Sequence, residues 1–105
     1  MNNVAIIIPT YNELENIQRL VNEIRKNITK CNIYIVDDTK NDDIGKLITR
    51  KKLKVKYFHR KKKSGRGSAV IYGLKKAFKD KQNKIFIEMD ADFSHNQKEL
   101  NRNLN

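Results

Sequence analysis

The sequence predicts an α/β fold: a Rossmann-like parallel sheet with helices on both faces, made of about four βα units. Three observations support this prediction. Short apolar, partly β-branched runs alternate with segments whose apolar residues recur at helical spacing. The 105 residues suffice for one domain with a core, but not for two. Aspartates follow strand-like runs, and the carboxyl ends of parallel strands are where open α/β sheets bind ligands.

The N-terminal part of the chain predicts a buried strand and then a helix. Residues 4–8 are all apolar, and Pro9 ends the strand because it cannot donate to a sheet ladder. Asn12 and Glu15 match a capping box, which indicates a helix start. Apolar residues recur on one face over residues 14–28, so the helix should run for about four turns.

The middle of the chain predicts a second buried strand, a short helix and an edge strand. Residues 32–36 form an apolar run, which a polar loop at 37–43 ends. A short helix is expected to follow and to reach Thr49. Residues 52–58 alternate between lysines and apolar side chains. The third strand should therefore lie half exposed at a sheet edge, where lysines discourage further pairing.

The last third of the chain predicts a helix, a buried strand and a final helix. Residues 60–67 are rich in basic residues and glycine and form a loop, and a helix packed on the sheet begins at Ser68. Residues 85–87 are the predicted fourth strand, and a short helix should follow from about Asn96. Aromatic side chains of this region are expected in the core: Tyr57, Phe58, Tyr72 and Phe78.

Basic residues are unevenly distributed along the chain. The formal net charge is +11, and sixteen of the 23 Lys and Arg residues lie between Lys46 and Lys84, where Asp80 is the one acidic residue. Such a segment attracts polyanions, namely nucleic acid, anionic lipid headgroups or a nucleotide diphosphate. Solvated surface lysines explain many of these residues equally well.

Cysteine usage and hydropathy indicate the compartment. Cys31 is the single cysteine, so an internal disulfide is excluded and the default interpretation is a small buried residue. No apolar run approaches the roughly 20 residues of a membrane span, and the N-terminus resembles no secretory signal. A reduced, cytoplasmic protein is therefore expected.

Two aspartates directly follow the predicted fourth strand. Asp90 and Asp92 are spaced i, i+2 on backbone that leaves a strand, so their carboxylates can converge on one hard cation. Mg²⁺ or Mn²⁺ takes oxygen ligands and is often completed by substrate phosphates. An isolated Asp-x-Asp is more often a solvated turn, but the accompanying motifs favour metal-assisted diphosphate chemistry.

Three strand ends should meet at one crevice, because the carboxyl ends of parallel strands share one edge of the sheet. Residues 9–13 and the pair Asp37 and Asp38 are thereby expected next to the aspartates of the fourth strand. Asp37 or Asp38 can accept hydrogen bonds from a base or a ribose, and Tyr11 can contact either group. Taken alone, Tyr11 is more often an ordinary loop residue, and Glu13 a partner of the helix dipole.

A glycine-containing turn precedes the third helix. Residues 65–67 (Gly-Arg-Gly) can bring backbone amides, together with the side chain of Lys63 or Arg66, to an anion. The turn is not a dinucleotide fingerprint, because Val70 stands where the third glycine would fall, and no Walker A sequence is present. The histidines have no zinc-site spacing, and His95 is equally compatible with a structural role and a site role.

Four motifs in this order resemble glycosyltransferase family 2, and most closely its dolichyl (polyprenyl) phosphate mannose synthases. The motifs are residues 6–13 (IIIPTYNE), 36–38 (VDD), 60–73 and 88–95 (EMDADFSH). They are specific together and not singly, and they cover the nucleotide-sugar-binding N-terminal part of that family's GT-A domain. Departures from the family pattern occur where Ser94 replaces a metal-contacting Gln, Arg66 a Leu, Asn96 a Pro, and Thr39-Lys40 a small pair.

The resemblance implies roles for the crevice residues. Nucleotide-sugar binding would fall to Pro9, Tyr11, Glu13, Asp37, Asp38, Lys63, Arg66 and Asp90. Asp90 and Asp92 would hold Mg²⁺ or Mn²⁺, and Asp92 would be the catalytic residue through that metal.

We therefore expect an inverting, metal-dependent glycosyltransferase. It should transfer a sugar, mannose from GDP-mannose in preference to glucose from UDP-glucose, to a polyprenyl (dolichyl) phosphate. An acceptor phosphate with a second pKa of about 6 is already ionised, so no strong general base is required. Peripheral contact with the cytoplasmic membrane face is compatible with such an acceptor.

The family places its acceptor-binding residues after the segment that these 105 residues match. A truncated domain, either a gene fragment or a piece that a second chain completes, is therefore expected, with little activity alone. The alternative function is a nucleic-acid-binding module that uses the basic segment 46–84. Aromatic residues for base stacking are scarce there, so nucleic acid is not the expected partner.

Overall fold

The computed structural model describes residues 3–60 and 65–91, and these form a four-stranded parallel sheet with three helices. In chain order the elements are β1 (Val4–Thr10), α1 (Leu14–Asn27), β2 (Asn32–Asp37), α2 (Asp43–Lys51), β3 (Lys56–His59), α3 (Arg66–Phe78) and β4 (Ile85–Glu88). The strand order is β3-β2-β1-β4, and every adjacent pair is parallel. The predicted α/β fold is confirmed, whereas the helix predicted from about Asn96 lies outside the described residues.

The sheet is organised around β1, whose seven residues are all buried. It pairs with β2 on one side and with β4 on the other. A strand covered on both faces needs no alternation of polar and apolar residues, which explains the continuous apolar run. Its side chains still divide between the two faces: Ile6 and Ile8 belong to one core cluster, and Ile7 belongs to the other.

Helices α1 and α2 cover one face of the sheet, and α3 covers the other. Ile17 and Ile24 of α1 share the first cluster with Ile44 of α2, while Ala77 of α3 packs in the second cluster with Tyr34. The chain thus moves from β1 outward to β3, crosses to the opposite face through α3, and returns as β4 on the far side of β1. This reversal of strand order leaves a crevice at the carboxyl ends of β1 and β4.

The start of α1 differs from the predicted capping box. The helix begins at Leu14, and no side chain caps it through a hydrogen bond. Asn12 has a φ of 57°, in the left-handed region, whereas an N-cap residue is typically extended. Its backbone N–H donates to Thr39 Oγ1 at 2.8 Å. The capping-box prediction is wrong because a tertiary hydrogen bond, rather than a local one, fixes this loop.

β3 lies at one edge of the sheet, as the alternating lysines predicted, but it is shorter than residues 52–58. Lys52 adopts a left-handed conformation that ends α2, and the backbone N–H of Leu53 donates to the carbonyl of Ile48. Residues 52–55 therefore close the helix before the strand begins. Within residues 3–60 and 65–91, no helix combines the length and the apolar character that crossing a membrane requires.

β4 lies at the opposite edge of the described sheet and is only partly buried. Ile85 is exposed, and Phe86 and Ile87 are half-buried, so the prediction of a buried strand over residues 85–87 is wrong. Phe78, which was expected in the core, is 64% exposed and packs against Phe86 with ring centroids 4.4 Å apart. In the described sheet β4 has a strand neighbour on one side only, which fits its partial burial.

Candidate functional site

A cavity of about 450 Å³ opens at the carboxyl end of the sheet, within the size range of ligand pockets. Four separate parts of the chain line it: the end of β1 with its loop, the residue after β2, the first turn of α3, and the residues after β4. The lining residues are Pro9, Thr10, Tyr11, Glu13, Asp38, Gly65, Arg66, Ala69, Asp90 and Ala91. The structure therefore brings together most of the residues that the sequence assigned to one crevice.

Asp38 lines this cavity, and an arginine binds its carboxylate. Arg60 donates from Nε to Asp38 Oδ1 at 2.7 Å and from Nη2 to Oδ2 at 2.6 Å. The third contact of the guanidinium, from Nη1 to Ser68 Oγ at 2.9 Å, ties the pair to α3. The hydrogen bonds to Asp38 raise the pKa of Arg60. Each carboxylate oxygen has a further lone pair, so Asp38 remains able to accept from a ligand N–H or O–H.

Asp37 is fully buried and does not line the cavity. Its Oδ1 accepts from Thr10 Oγ1 at 2.9 Å, from Thr39 Oγ1 at 2.6 Å and from the Thr39 backbone N–H at 3.1 Å. Its Oδ2 accepts from the Tyr57 hydroxyl at 3.1 Å. The two adjacent aspartates are thereby separated in role: Asp37 fastens the loops together beneath the site, and Asp38 faces the site.

Tyr57 and His59 of β3 complete the support under the loops. Burial and then the negative charge of Asp37 raise the pKa of Tyr57, which keeps its hydroxyl a hydrogen-bond donor. His59 Nε2 lies 2.6 Å from the Thr39 carbonyl oxygen, to which it donates in the Nε2–H tautomer. The two rings stack with centroids 6.2 Å apart. Thr39 is thus held from both its side chain and its backbone.

The loop after β1 places Tyr11 and Glu13 at the cavity. Tyr11 is 46% exposed and lines the cavity. Glu13 Oε2 accepts a hydrogen bond from Asn16 Nδ2 at 3.0 Å, which orients the carboxylate at the start of α1. Pro9 and Thr10 form the adjoining wall.

The first turn of α3 contributes backbone amides to the cavity. Gly65 has a φ of +93°, a conformation that favours glycine, and the helix begins at Arg66. Gly65, Arg66 and Ala69 of this segment line the cavity, whereas Gly67 is exposed and does not line it. The first amides of a helix lack intrahelical acceptors and point along the positive end of its dipole, which suits an anion. Lys63, predicted for the same anion, lies outside the described residues.

Asp90 lies across the cavity from that turn and is paired with Arg66. Arg66 Nε donates to Asp90 Oδ1 at 2.8 Å, and Nη2 contacts both Asp90 Oδ1 and Glu88 Oε2. Asp90 supplies the oxygen ligands that Mg²⁺ or Mn²⁺ prefers. Asp92, the second predicted ligand, lies outside the described residues, and within residues 3–60 and 65–91 no three His, Cys, Asp or Glu side chains group as a metal site. The carboxylate of Asp90 therefore offers oxygen ligands of the kind that a hard divalent cation takes.

Sequence reasoning singled out neither Arg60 nor Thr39 as part of the site. Arg60 directly follows β3 and donates its backbone N–H to the Asp37 carbonyl. The rule that residues after the carboxyl ends of parallel strands lie at the crevice, which located the aspartates, therefore also applies to Arg60. Thr39 gave no comparable signal, because its role depends on Asn12 and Asp37 reaching it from two different loops. Glu88 was noted only as part of a motif, and its ion pair with Arg66 is a tertiary contact.

Comparison with known proteins gives one family. Residues 5–105 match the family described as Glycosyl transferase family 2. The chain is 35% identical over 105 residues to a polyprenol monophosphomannose synthase of Mycolicibacterium smegmatis, covering 92% of this chain and 38% of that protein. It is 40% identical over 96 residues to a dolichol-phosphate mannosyltransferase of Pyrococcus furiosus, covering 88% of this chain and 26% of that protein.

A solved structure supports the fold. The mannosyltransferase PcManGT of Pyrobaculum calidifontis, determined in complex with GDP-Man and Mn²⁺, superimposes with a TM-score of 0.63 at 21% identity. The match covers 86% of this chain and 27% of that chain. The chain thus spans well under half the length of each of these three proteins.

Proposed function

This chain belongs to glycosyltransferase family 2, and from that premise we propose that its cavity binds a nucleotide sugar for transfer to a lipid phosphate. The observation that carries the proposal is the convergence of Asp38, the first turn of α3 and Asp90 on one cavity. These three elements offer an acceptor for a base or ribose, donors for a diphosphate, and a ligand for a divalent cation. We propose GDP-mannose rather than UDP-glucose as the donor, in keeping with the mannosyl activities named for the relatives.

Recognition of the nucleoside is assigned to Asp38 and Tyr11. Arg60 holds the Asp38 carboxylate in one orientation through two hydrogen bonds, so no side-chain freedom is lost when a ligand binds. A base N–H or a ribose hydroxyl can then donate to it. The exposed ring of Tyr11 provides an apolar surface for the base, and Pro9 and Glu13 complete that side of the cavity.

Recognition of the diphosphate is assigned to the start of α3 and to the aspartates after β4. Backbone amides at the start of α3 and the guanidinium of Arg66 would donate to phosphate oxygens, and Lys63 would add a further cation. Asp90 and Asp92 hold Mg²⁺ or Mn²⁺, and Asp92 is the catalytic residue by this assignment. When bound, the metal neutralises the charge that develops on the leaving diphosphate.

The acceptor is proposed to be a polyprenyl phosphate, whose ionised oxygen attacks the sugar with inversion. Its phosphate is already ionised at neutral pH, so it needs no strong general base. A lipid acceptor also implies peripheral contact with the cytoplasmic face of a membrane. We propose that residues 1–105 form one nucleotide-sugar-binding domain supplying the donor side.

The alternative of a nucleic-acid-binding module has less support. Several cations of the basic segment 46–84 already neutralise carboxylates of the same chain: Arg60 pairs with Asp38, Arg66 with Asp90, and Lys56 with Asp80. None of the relatives reported above is named for nucleic-acid binding. Those ion pairs reduce the number of basic side chains that a phosphate backbone can engage.

Calorimetric titration of the chain with GDP and UDP, with and without Mn²⁺, tests the proposal. We expect GDP to bind more tightly than UDP, and Mn²⁺ to strengthen GDP binding. Asp90→Asn and Asp92→Asn should each remove most of the strengthening by Mn²⁺. Asp42→Asn is the matched control, since Asp42 is exposed, pairs with Lys46 and lies outside the cavity lining. If both site variants keep the full effect of Mn²⁺, the metal assignment is wrong, and if neither nucleotide binds, the proposed function is wrong.

A further inference from the structure

Arg66 lies at the start of α3, where the helix dipole disfavours its positive charge. Arg66 is the first residue of α3, and the first turn of that helix contains no acidic residue. A positive side chain at a helix N-terminus is disfavoured by the helix dipole. The contacts of Arg66 supply the compensation, because its guanidinium binds Asp90 and Glu88 together. Arg66 is therefore positioned by the two carboxylates rather than by its helix.

The carboxylate that Arg66 binds, that of Asp90, is a metal ligand in the proposed site. Nε and Nη2 of Arg66 both contact Oδ1 of Asp90. A divalent cation that takes this oxygen must displace at least one of those contacts and approach a fixed positive charge. Two cations therefore compete for one carboxylate while the site contains no diphosphate.

A nucleoside diphosphate changes this competition. A diphosphate in the cavity that Arg66 lines would offer several further anionic oxygens to this guanidinium. Guanidinium groups bind phosphate as readily as carboxylate, so Arg66 can turn to the diphosphate and release Asp90 to the metal. With both ligands present, Arg66 binds the diphosphate and the divalent cation binds Asp90, so the two cations no longer compete.

We propose that Arg66 couples metal binding to nucleotide binding: it occupies Asp90 as a counter-ion in the free protein and passes to the diphosphate when the nucleotide and the divalent cation bind together. This inference rests on the proposed function, since it uses the same donor site. Arg66 is a positioning residue in this scheme, and the coupling it creates is reciprocal, because each ligand must improve the affinity for the other by the same factor.

The scheme predicts two effects of opposite sign for Arg66→Leu. Binding of Mn²⁺ alone should become tighter, by about fivefold, which corresponds to the ~1 kcal/mol of a half-exposed ion pair. Binding of GDP without metal should become weaker by a similar factor, since the diphosphate loses a cation. A general loss of structure would weaken both, so the opposite signs separate coupling from misfolding. Arg66→Lys keeps the charge without the two-pronged geometry and should fall between Leu and the wild type.

The test is direct measurement of Mn²⁺ binding by electron paramagnetic resonance of the free ion, on the full 105-residue chain without nucleotide. Wild type, Arg66→Leu, Arg66→Lys and Arg50→Leu are compared. Arg50→Leu is the matched control, because it removes the same charge from an exposed position in the last turn of α2 and outside the cavity lining. The same four proteins are then titrated with GDP in the absence and presence of Mn²⁺.

The expected result is tighter Mn²⁺ binding in Arg66→Leu than in wild type and Arg50→Leu, together with a smaller effect of Mn²⁺ on GDP affinity. Equal Mn²⁺ affinity in Arg66→Leu and wild type overturns the inference, and so does the absence of measurable Mn²⁺ binding in both. If wild type binds GDP with the help of Mn²⁺ while Arg66→Leu behaves identically, the inference fails and the proposed function stands. If Arg66→Leu binds Mn²⁺ more tightly but no protein binds GDP, the counter-ion role stands and the proposed function fails.

Discussion

Replacement of Asp37 by asparagine separates the structural aspartate from the ligand-facing one. Asp37 is fully buried, and its two oxygens accept four hydrogen bonds, from Thr10, Thr39 and Tyr57. Asparagine has nearly the same shape but carries no charge and has an amide group in place of one oxygen. We expect Asp37→Asn to lower the free energy of unfolding while leaving GDP affinity within about twofold in the folded protein.

The size of the loss follows from the individual bonds. Three donors converge on Oδ1, and hydrogen bonds to a charged acceptor are worth roughly twice those to a neutral one. Losing about 0.5–1 kcal/mol on each gives a destabilisation of about 2 kcal/mol. The bond to Tyr57 is retained, since the hydroxyl can rotate to accept from the new amide. Asp37→Ala leaves all four donors without this acceptor and should cost about 4 kcal/mol, a large part of the stability of a small domain.

Urea unfolding gives the stability, and calorimetric titration under native conditions gives the GDP affinity. Asp38→Asn is the companion variant, and it is expected to weaken GDP binding by at least about fivefold, because the acceptor facing the cavity is lost. It should also lower stability, since Arg60 then keeps a largely buried charge without its partner. If Asp37→Asn weakens GDP binding as much as Asp38→Asn does, with little change in the urea midpoint, the division of roles between the two aspartates is wrong.

Three further outcomes are expected. Gly73→Ala should destabilise the fold by about 1–2 kcal/mol, because the new Cβ would lie 2.6 Å from Ile7 Cγ2; Gly67→Ala, where a Cβ meets nothing within 4 Å, should be neutral or stabilising, as urea unfolding will show. Burial raises the pKa of the Cys31 thiol, and the charge of Arg25 opposes that rise. The contribution of the thiol to the free energy of unfolding is therefore complete below the unfolded pKa of about 8.5 and is lost as pH rises through the folded pKa. Cys31→Ala should thus reduce the fall in the free energy of unfolding above pH 8.5, and an equally steep fall would contradict this. Binding to duplex DNA should be undetectable at physiological salt by fluorescence anisotropy, and tight binding with a steep salt dependence would revive the nucleic-acid alternative.

The general position of the site could be predicted from the sequence because two sequence patterns indicate the same sheet. The apolar run of β1 and the alternation of strands and helices specify a parallel sheet, and a parallel sheet brings the ends of its strands to one edge. Pro9, Asp38 and Asp90 are far apart in the chain, yet they line one cavity for this reason alone.

The difference between Asp37 and Asp38 could not be assigned at the same stage. Side chains alternate between the faces of a strand, and Asp37 is in phase with Ile33 and Ile35, which belong to the cluster under α1 and α2. Asp38 is in phase with Tyr34, which faces α3. Both faces of β2 are apolar, so its sequence does not indicate which face leads to the cavity until the helices are placed.

Contacts between distant loops were the least predictable part. Asn12 satisfies the local pattern of a helix cap, but a hydrogen bond to Thr39 holds it in a left-handed conformation. Arg66 stands where the resemblance implied a leucine, and only the fold shows that its charge meets Asp90 and Glu88. Local propensities contain no information about such partners, because the partners lie 22 or more positions away in the sequence.

The central claim is that a nucleotide binds at the carboxyl end of the sheet, and amide chemical shifts measured during a GDP titration with Mg²⁺ test it most directly. We expect the largest shifts at Tyr11, Asp38, Gly65 and Asp90, which line the cavity. The amide of Cys31, which lines a separate cavity at the opposite end of β2, should stay unchanged. Shifts confined to that second cavity or to the lysine-rich surface, with none at the four expected positions, would contradict the account.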